Sequence, residues 1–424
     1  MKQIKAIVVG YGDRGSIYAS YALECPEELE IIAVVDPDKT RLQLAKELHH
    51  LSDEQLFADL DACLVKDLPC DLYINGTMDQ IHYEVLKKLI KTKKAILTEK
   101  PIVNNAKQLL ELEELAKENK TPVFVGHVLR YTPFYKTIKQ LILDGEIGEI
   151  RSMEMAEHVG SAHFAGSYIR GKWNNEEECG STLLLAKSCH DIDIMCWLNN
   201  KTVPHYVSSF GSRKYFLEKN APEGATEKCY NCPHQETCYF SALNCYVRAD
   251  FSNELTHIDR IKMTTDEIKE FLKTSEFGRC VYKIDKSDVV DRQVVNVEFK
   301  NGSVANFTLV GGVQEPCRTI SVVGTAGEIT GKLESGVIYL KKDKIATTAP
   351  EIKTIDVNAQ VHSGNRLAGH SGGDFEIMKT IVRCLNGDTN LITITKLSDS
   401  INGHLCVYAA DEARLSHRVV ELKR

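Results

Sequence analysis

Short apolar runs alternate with helical patterns through the first third of the chain. "IKAIVVG" and "LEIIAVVDPD" are β-branched, apolar on successive positions and bounded by turn residues, as buried parallel strands are. "DLYINGT", "KAILTEKP" and "PVFVGH" continue the series. Between them, "SIYASYALEC", "TRLQLAKEL", "IHYEVLKKLIKTK" and "NAKQLLELEELAKENK" carry apolar residues at helical spacing. Strand–helix alternation predicts a parallel sheet covered on both faces, over residues 1–126.

The rhythm changes over 127–424. After the helical "FYKTIKQLILDG", "EIRSMEMAEHV" alternates as a strand with one exposed face does. "VVNVEFKNGSVANFTLVGG" predicts a hairpin through a two-residue turn at Asn301-Gly302. "TISVVGTAGEITGKL" and "GVIYLKKD" extend the antiparallel pattern, residues 340–369 read as loop-rich, and helices are expected from Asp374 to Leu385 and from Lys396 to His417. The fold class is therefore α/β: an N-terminal dinucleotide-binding domain, then an α+β domain with a large mixed or antiparallel sheet.

Composition narrows the function classes. The 424 residues are 43% hydrophobic and 26% charged, with 52 Lys+Arg against 59 Asp+Glu and a net charge of -7. No basic stripe is present, which argues against nucleic acid as a partner. No apolar run reaches the ~18 residues of a bilayer span, and Gly10 to Arg14 interrupts the apolar start before a signal-peptide core forms. The expectation is a cytoplasmic protein with no membrane partner. Most of its 14 cysteines then read as reduced buried thiols. The broad sheet of the second domain points to a homo-oligomer, since a wide exposed face is otherwise apolar.

Candidate chemistry starts at "VVGYGDRGSIYA". Gly10, Gly12 and Gly15 form G-x-G-x-x-G between a predicted strand and a predicted helix. Asp36 stands twenty-one residues after Gly15, at the end of the next strand. That context is the dinucleotide fingerprint: a tight turn, close backbone approach to a pyrophosphate, and an acid for the ribose hydroxyls. A carboxylate there repels a 2′-phosphate, so NAD is expected over NADP.

"TEKP" (Thr98 to Pro101), "GHVLRYTPFYKTIKQLILDGEIGEI" and "GSTLLLAKSCHDIDIMCWL" follow. With them the chain resembles the Gfo/Idh/MocA oxidoreductases over nearly its whole length. "HFAGSYIRGKW", "CYNCPHQETCYFSA" and "GHSGGDF" resemble a less common branch. The resemblance implies hydride transfer between a nicotinamide cofactor and a hydroxyl of a sugar, sugar derivative or cyclitol. It implies cofactor contacts from Gly10, Gly12, Asp13, Arg14, Gly15, Asp36, Thr77, His82, Glu99 and Lys100. Lys100 is implied between nicotinamide and substrate, and His190 as the acid/base. Four residues before that histidine the family commonly has Asp, and here stands Ala186, followed by Lys187. Lys187 is thus an alternative base. Met78 stands where many members have Pro.

Two alternatives stay open beside this one. One is glycoside cleavage with tightly bound, recycled NAD; the other is a sensor that binds NAD and sugar without turnover.

His158, His163, Tyr168, Arg170 and Trp173 combine donors with aromatic surface, the composition of a sugar site. Arg130 and Tyr131 fall where the domain cleft is expected, and His370 precedes two glycines that follow Ser371. All are candidate substrate ligands. Cys229, Cys232, Cys238 and Cys245 follow C-x2-C-x5-C-x6-C, which suits either a structural zinc or buried thiols.

Overall fold

The computed structural model describes residues 1–249, 255, 263–342, 351–362 and 366–423. Its first sheet holds β1 (Ile4–Val9), β2 (Leu29–Val35), β3 (Leu56–Phe57), β4 (Leu72–Asn75), β5 (Ala95–Thr98) and β6 (Val123–Val125). The order is β3-β2-β1-β4-β5-β6, all parallel. The order reverses beside β1, so the loops after β1 and β4 part there. That is where a doubly wound sheet opens a crevice for a nucleotide.

The second sheet holds β7 (Ile150–Gly160), β8 (Pro204–Ser212), β9 (Arg292–Phe299), β10 (Val304–Val313), β11 (Cys317–Gly324), β12 (Gly327–Lys332), β13 (Val337–Lys342), β14 (Glu351–Asp356) and β15 (Val420–Glu421). Its order is β14-β13-β12-β11-β7-β10-β9-β8-β15. Only β7 and β10 pair in parallel; every other neighbour is antiparallel. Alternation along β7 buries Met153, Met155, Glu157 and Val159 on one face. The opposite face is open and mixed. Tyr206, Phe210 and Val304 are exposed there, interspersed with Glu154, Asn296 and Glu298.

Two expectations are corrected. The β9–β10 connection is not a two-residue turn. A two-residue turn of type I′ or II′ needs positive φ at its first central residue, here Asn301, and of the two only Gly302 has it, at +82°. The Phe299 amide instead bonds Ser303 across three residues, Lys300 to Gly302. Within the loop-rich stretch, residues 351–356 form β14, paired along its whole length with β13. Residues 343–350 and 363–365 of that stretch lie outside the described residues.

The chain returns to its first sheet at the end. Helix Gly373–Leu385 buries Ile377, Met378, Ile381 and Val382 against the face carrying Ile4, Ala6 and Val8. Helix Leu397–Ser416 buries Leu397, Ile401 and Leu405 against the other face, with Ile7 and Val9. Val125 N–H donates to Thr395 O at 2.8 Å, edging β6 with backbone from residue 395. Both faces of the nucleotide sheet are thus partly covered by the C-terminal chain, which brings His370 and Asp374 beside the first glycine loop.

Candidate active site

The glycine loop has the shape its sequence demands. Gly10 has φ +86°, and a Cβ there would stand 2.8 Å from the Gly76 backbone. A Cβ on Gly15 would lie 2.0 Å from the Gly10 carbonyl, so only glycine lets helix Asp13–Ala19 seat on the turn. At Gly12 the nearest atom to such a Cβ is Arg41, at 3.8 Å, so this position faces open space. The free amides of the helix start meet that space, a setting that favours a phosphate anion. The residues present therefore fit a dinucleotide.

Asp36 is buried, and its two oxygens accept the amides of Tyr11 (2.8 Å) and Asp38 (2.9 Å). Arg41 stands 3.6 Å from the same carboxylate. The arginine is a neighbour that the sequence reading did not single out.

Four of the expected cofactor residues, His82, Glu99, Arg14 and Thr77, hold the cradle together through other residues. His82, fully buried, bridges the Pro101 carbonyl (2.7 Å) and the Thr77 carbonyl (2.9 Å). It ties the loop after β4 to the loop after β5. Glu99 Oε1 accepts Arg14 Nε (2.8 Å) and Tyr18 OH (2.5 Å), and Oε2 accepts the Lys100 amide (2.9 Å). Arg14 also donates to Asp374 Oδ1 at 2.6 Å. Burial pushes the Glu99 carboxyl up, but Arg14 and Lys100 outweigh it and hold it below the carboxylate range. Asp374 is held low in the same way, burial being outweighed by Arg14 and His370. Thr77 bonds Asn75 Oδ1 through Oγ1 at 2.7 Å.

Lys100 follows β5, before a cis bond to Pro101. Its Nζ donates to the Ala186 carbonyl at 2.6 Å. The position without the family's aspartate thus still holds this lysine, through its main chain. His190 opens helix Cys189–Leu198 and is 5% exposed, with Nδ1 buried and unpartnered. Its ring lies 5.5 Å from His127 and 6.2 Å from His370. Burial, then Lys100, His127 and His370, push its pKa well below the ordinary histidine value. His190 is therefore neutral near pH 7, with a lone pair for a proton.

Lys187 Nζ lies 3.3 Å from Glu157 Oε1. Burial lowers its pKa; Glu157 opposes, while Arg318 and Lys100 reinforce the burial. Arg318 donates to Glu157 and, through Nε, to Asp191 Oδ1 at 2.9 Å. Glu157, Asp191, Arg318 and His127 were missed from sequence. Glu157 falls in phase with Met153, Met155 and Val159 on the buried face of β7, so the period-2 alternation is the signal that could have found it.

The aromatic segment supplies one wall. His163, Tyr168 and Trp173 lie tilted against one another, with centroids 5.6 and 5.7 Å apart and planes at 34° and 30°, and Trp173 Nε1 reaches Asp79 at 3.3 Å. Burial and then Lys187 push His163 well below its ordinary value, which places it beside that lysine. His370 bonds Asp374 at 3.0 Å and completes the group.

Four expected ligands lie elsewhere. Arg130 is 1% exposed and locked on Asp193 by bonds of 2.6 and 2.5 Å. Tyr131 bonds Thr395 at 2.8 Å inside the core. His158 points to the opposite side of β7 from Glu157, toward Cys317 Sγ at 3.6 Å. Arg170 is 3% exposed and donates to the Arg279 and Phe240 carbonyls and to Cys245 Sγ (3.7 Å) and Cys229 Sγ (3.6 Å). The cysteine run thus has an arginine cation at its centre. Among the described residues no three His, Cys, Asp or Glu side chains are arranged to hold a metal, Cys229, Cys232, Cys238 and Cys245 included.

Comparison with known proteins agrees with this geometry. Residues 4–127 match the family model described as "Oxidoreductase family, NAD-binding Rossmann fold", and residues 139–422 match "Oxidoreductase family, C-terminal alpha/beta domain". A Bacillus subtilis (strain 168) protein named as an oxidoreductase, YteT, is 24% identical over 361 residues, covering 81% of this chain and 80% of that one. The inositol 2-dehydrogenase of Corynebacterium glutamicum (strain R) is 25% identical over 48% of this chain and 56% of its own. A solved levoglucosan dehydrogenase, in complex with NADH and levoglucosan, has the same fold at TM-score 0.69 and 14% identity, each chain fully covered. This chain belongs to the Gfo/Idh/MocA oxidoreductase family, with its NAD-binding Rossmann fold and C-terminal α/β domain.

Proposed function

We propose that the chain oxidises a secondary hydroxyl of a sugar, sugar derivative or cyclitol, with NAD as the hydride acceptor. Residues 1–126 serve as the nucleotide-holding unit and 127–424 as the unit that completes the cleft. The observation that carries this reading is the meeting of Lys100 and His190 beyond the strand ends, each from a different side of the cleft.

The glycine loop and Asp36 hold the dinucleotide; when bound, it supplies an acceptor for hydride. The chain's own residues handle the proton. His190 is kept neutral by burial and its cationic neighbours, so it can take the proton of the hydroxyl. Lys100, aimed by the Ala186 carbonyl, places a fixed cation where negative charge grows on oxygen. The tilted rings of His163, Tyr168 and Trp173 offer the apolar surface that a sugar's C–H face packs on.

Asp36 supports NAD over NADP. Its carboxylate lies where a ribose 2′-phosphate would meet like charge. The names of relatives that act on inositol or levoglucosan agree with a polyol substrate. A second copy of the chain on the open sheet belongs to the same reading, supported by exposed Tyr206, Phe210 and Val304; light scattering of the eluted protein tests it.

The direct test is NADH formation from a panel of sugars and cyclitols, with aryl glycosides run in parallel without added cofactor. NADH from a free polyol is expected. Release of aglycone with no net NADH would overturn it in favour of recycled NAD.

A further inference from the structure

The two halves of the chain touch across the cleft at Lys100 and Ala186, and touch again at Asp79. Asp79 opens the 3-10 turn Asp79–Ile81 behind β4, two residues after Thr77, and is buried. Both of its contacts converge on one oxygen. Oδ2 accepts Trp173 Nε1 at 3.3 Å and the hydroxyl of buried Ser181 at 3.0 Å. The chain between those two partners is pressed onto the same turn. Gln80 Nε2 donates to the Glu178 carbonyl. Gly180 has φ +75°, and a Cβ there would stand 3.2 Å from Gln80 Cγ and run into the Asn104 amide, so glycine permits the approach. Lys172 adds to the seat: its Nζ lies 4.1 Å from the Trp173 ring centre and 3.9 Å from Met78 Sδ.

The two ties are mechanically joined on both sides of the cleft. On the nucleotide side, His82 bridges the Thr77 and Pro101 carbonyls, which fixes the loop carrying Asp79 to the loop carrying Lys100. On the other side, Thr182 follows Ser181 and accepts the Leu185 amide on Oγ1 at 3.2 Å and the Ala186 amide on its carbonyl at 2.8 Å. A shift of Ser181 is therefore passed to the carbonyl that aims Lys100. We propose that Asp79 is a positioning residue for the oxidation: through Ser181 and Trp173 it fixes the register of Lys100 against the Ala186 carbonyl. The role needs one acceptor oxygen and no charge, since both bonds fall on Oδ2. It rests on the oxidoreductase reading above and adds to it a residue that acts through Lys100.

The test is steady-state NADH formation from the polyol that serves wild type best, for Asp79→Asn, Asp79→Leu, Lys100→Met and Asp79→Leu combined with Lys100→Met. Asparagine still offers an acceptor oxygen, so its kcat is expected to stay within about 3-fold of wild type. Leucine offers none, and kcat is expected to fall about 30-fold, in the range that misplaced reacting groups cost. On the Lys100→Met background the same change is expected to cost about 3-fold or less, because the group that Asp79 aims is gone. An Asp79 that merely stabilises the fold would cost the same factor on both backgrounds. That outcome, an Asn variant as slow as Leu, or a Leu variant at wild-type kcat would each overturn the assignment. Should Asp79→Leu fail to fold, Ser181→Ala carries the same comparison with and without Lys100→Met. Tryptophan emission reads the contact without turnover: Trp173 and Trp197 are the two tryptophans, and Trp197 is buried. Emission is expected to shift red in Asp79→Leu and to stay in place in Asp79→Asn; no shift in the Leu variant would overturn the contact. If wild type oxidises no polyol, the oxidoreductase reading fails, and the emission still decides whether Asp79 holds Trp173.

Discussion

Lys100 and Ala186 meet across the cleft, Nζ to carbonyl oxygen at 2.6 Å. A main-chain acceptor holds the lysine without neutralising it. The contact aims the amine without bringing an opposite charge to it. Lys100→Met is expected to lower kcat by about 10²–10³-fold, as loss of an electrostatic contact to developing charge does. NAD affinity should change little, because the glycine loop and Asp36 bind elsewhere. Fluorescence titration with NADH, beside steady-state rates, separates the two effects. Equal losses in both would remove Lys100 from the chemistry.

Asp36 and Arg41 set opposite charges side by side at the end of β2. The carboxylate is 3.6 Å from the guanidinium and accepts two backbone amides. Asp36→Ala removes the repulsion toward a 2′-phosphate and releases Arg41 to meet it. NAD affinity is expected to fall about tenfold, one strong hydrogen bond's worth, while NADP affinity rises. Kd values for both nucleotides decide the matter; an unchanged ratio would place the ribose elsewhere.

The first sheet was legible because its strands are short, apolar and punctuated by glycine and helices. The G-x-G-x-x-G turn was legible for the same reason: steric demands at Gly10 and Gly15 leave no alternative residue. Lys100, Lys187 and His190 were found through motif position, and the structure brings them to one cleft. Arg130 and Arg170 were misplaced because an arginine's sequence does not show its partner. Asp193 claims one, and two carbonyls and two thiols claim the other. Glu157 and Arg318 escaped because their pairing spans 161 residues and depends on β7 and β11 being neighbours.

Arg14 joins the first helix to the C-terminal chain. It bonds Glu99 at 2.8 Å and Asp374 at 2.6 Å, and both carboxylates are almost wholly buried. Arg14→Leu leaves two buried negative charges with less compensation. Removal of one partner from a buried ion pair costs about 3–5 kcal/mol. The arginine is partly exposed, so the lower end is expected. Urea unfolding at pH 7 measures it. The variant should regain part of the loss in mild acid, as Glu99 and Asp374 take up protons. A variant as stable as wild type at pH 7 would show the network to be dispensable.

Four histidines, the buried His127, His190 and His404 and the half-buried His163, all have pKa values pushed below the ordinary 6.5, in each case by desolvation first. For His404 the folded value is about 3. The unfolded chain therefore binds protons near pH 6.5 that the folded chain refuses. Stability is full above that pH and is lost as the pH falls from 6.5 toward the folded values. Each histidine contributes up to about 1.4 kcal/mol per pH unit in that window. The buried carboxylates Glu99 and Asp374, whose folded values are depressed, add their own loss only below about pH 4. Unfolding free energy measured from pH 7.5 to 4.5 should thus decline below 6.5, tempered by the buried carboxyls Asp191, Asp193 and Asp411, whose raised folded values act in the opposite sense. A His190 imidazole signal that titrates between pH 7 and 5 by NMR would mean that His190 is not held ready as a neutral base.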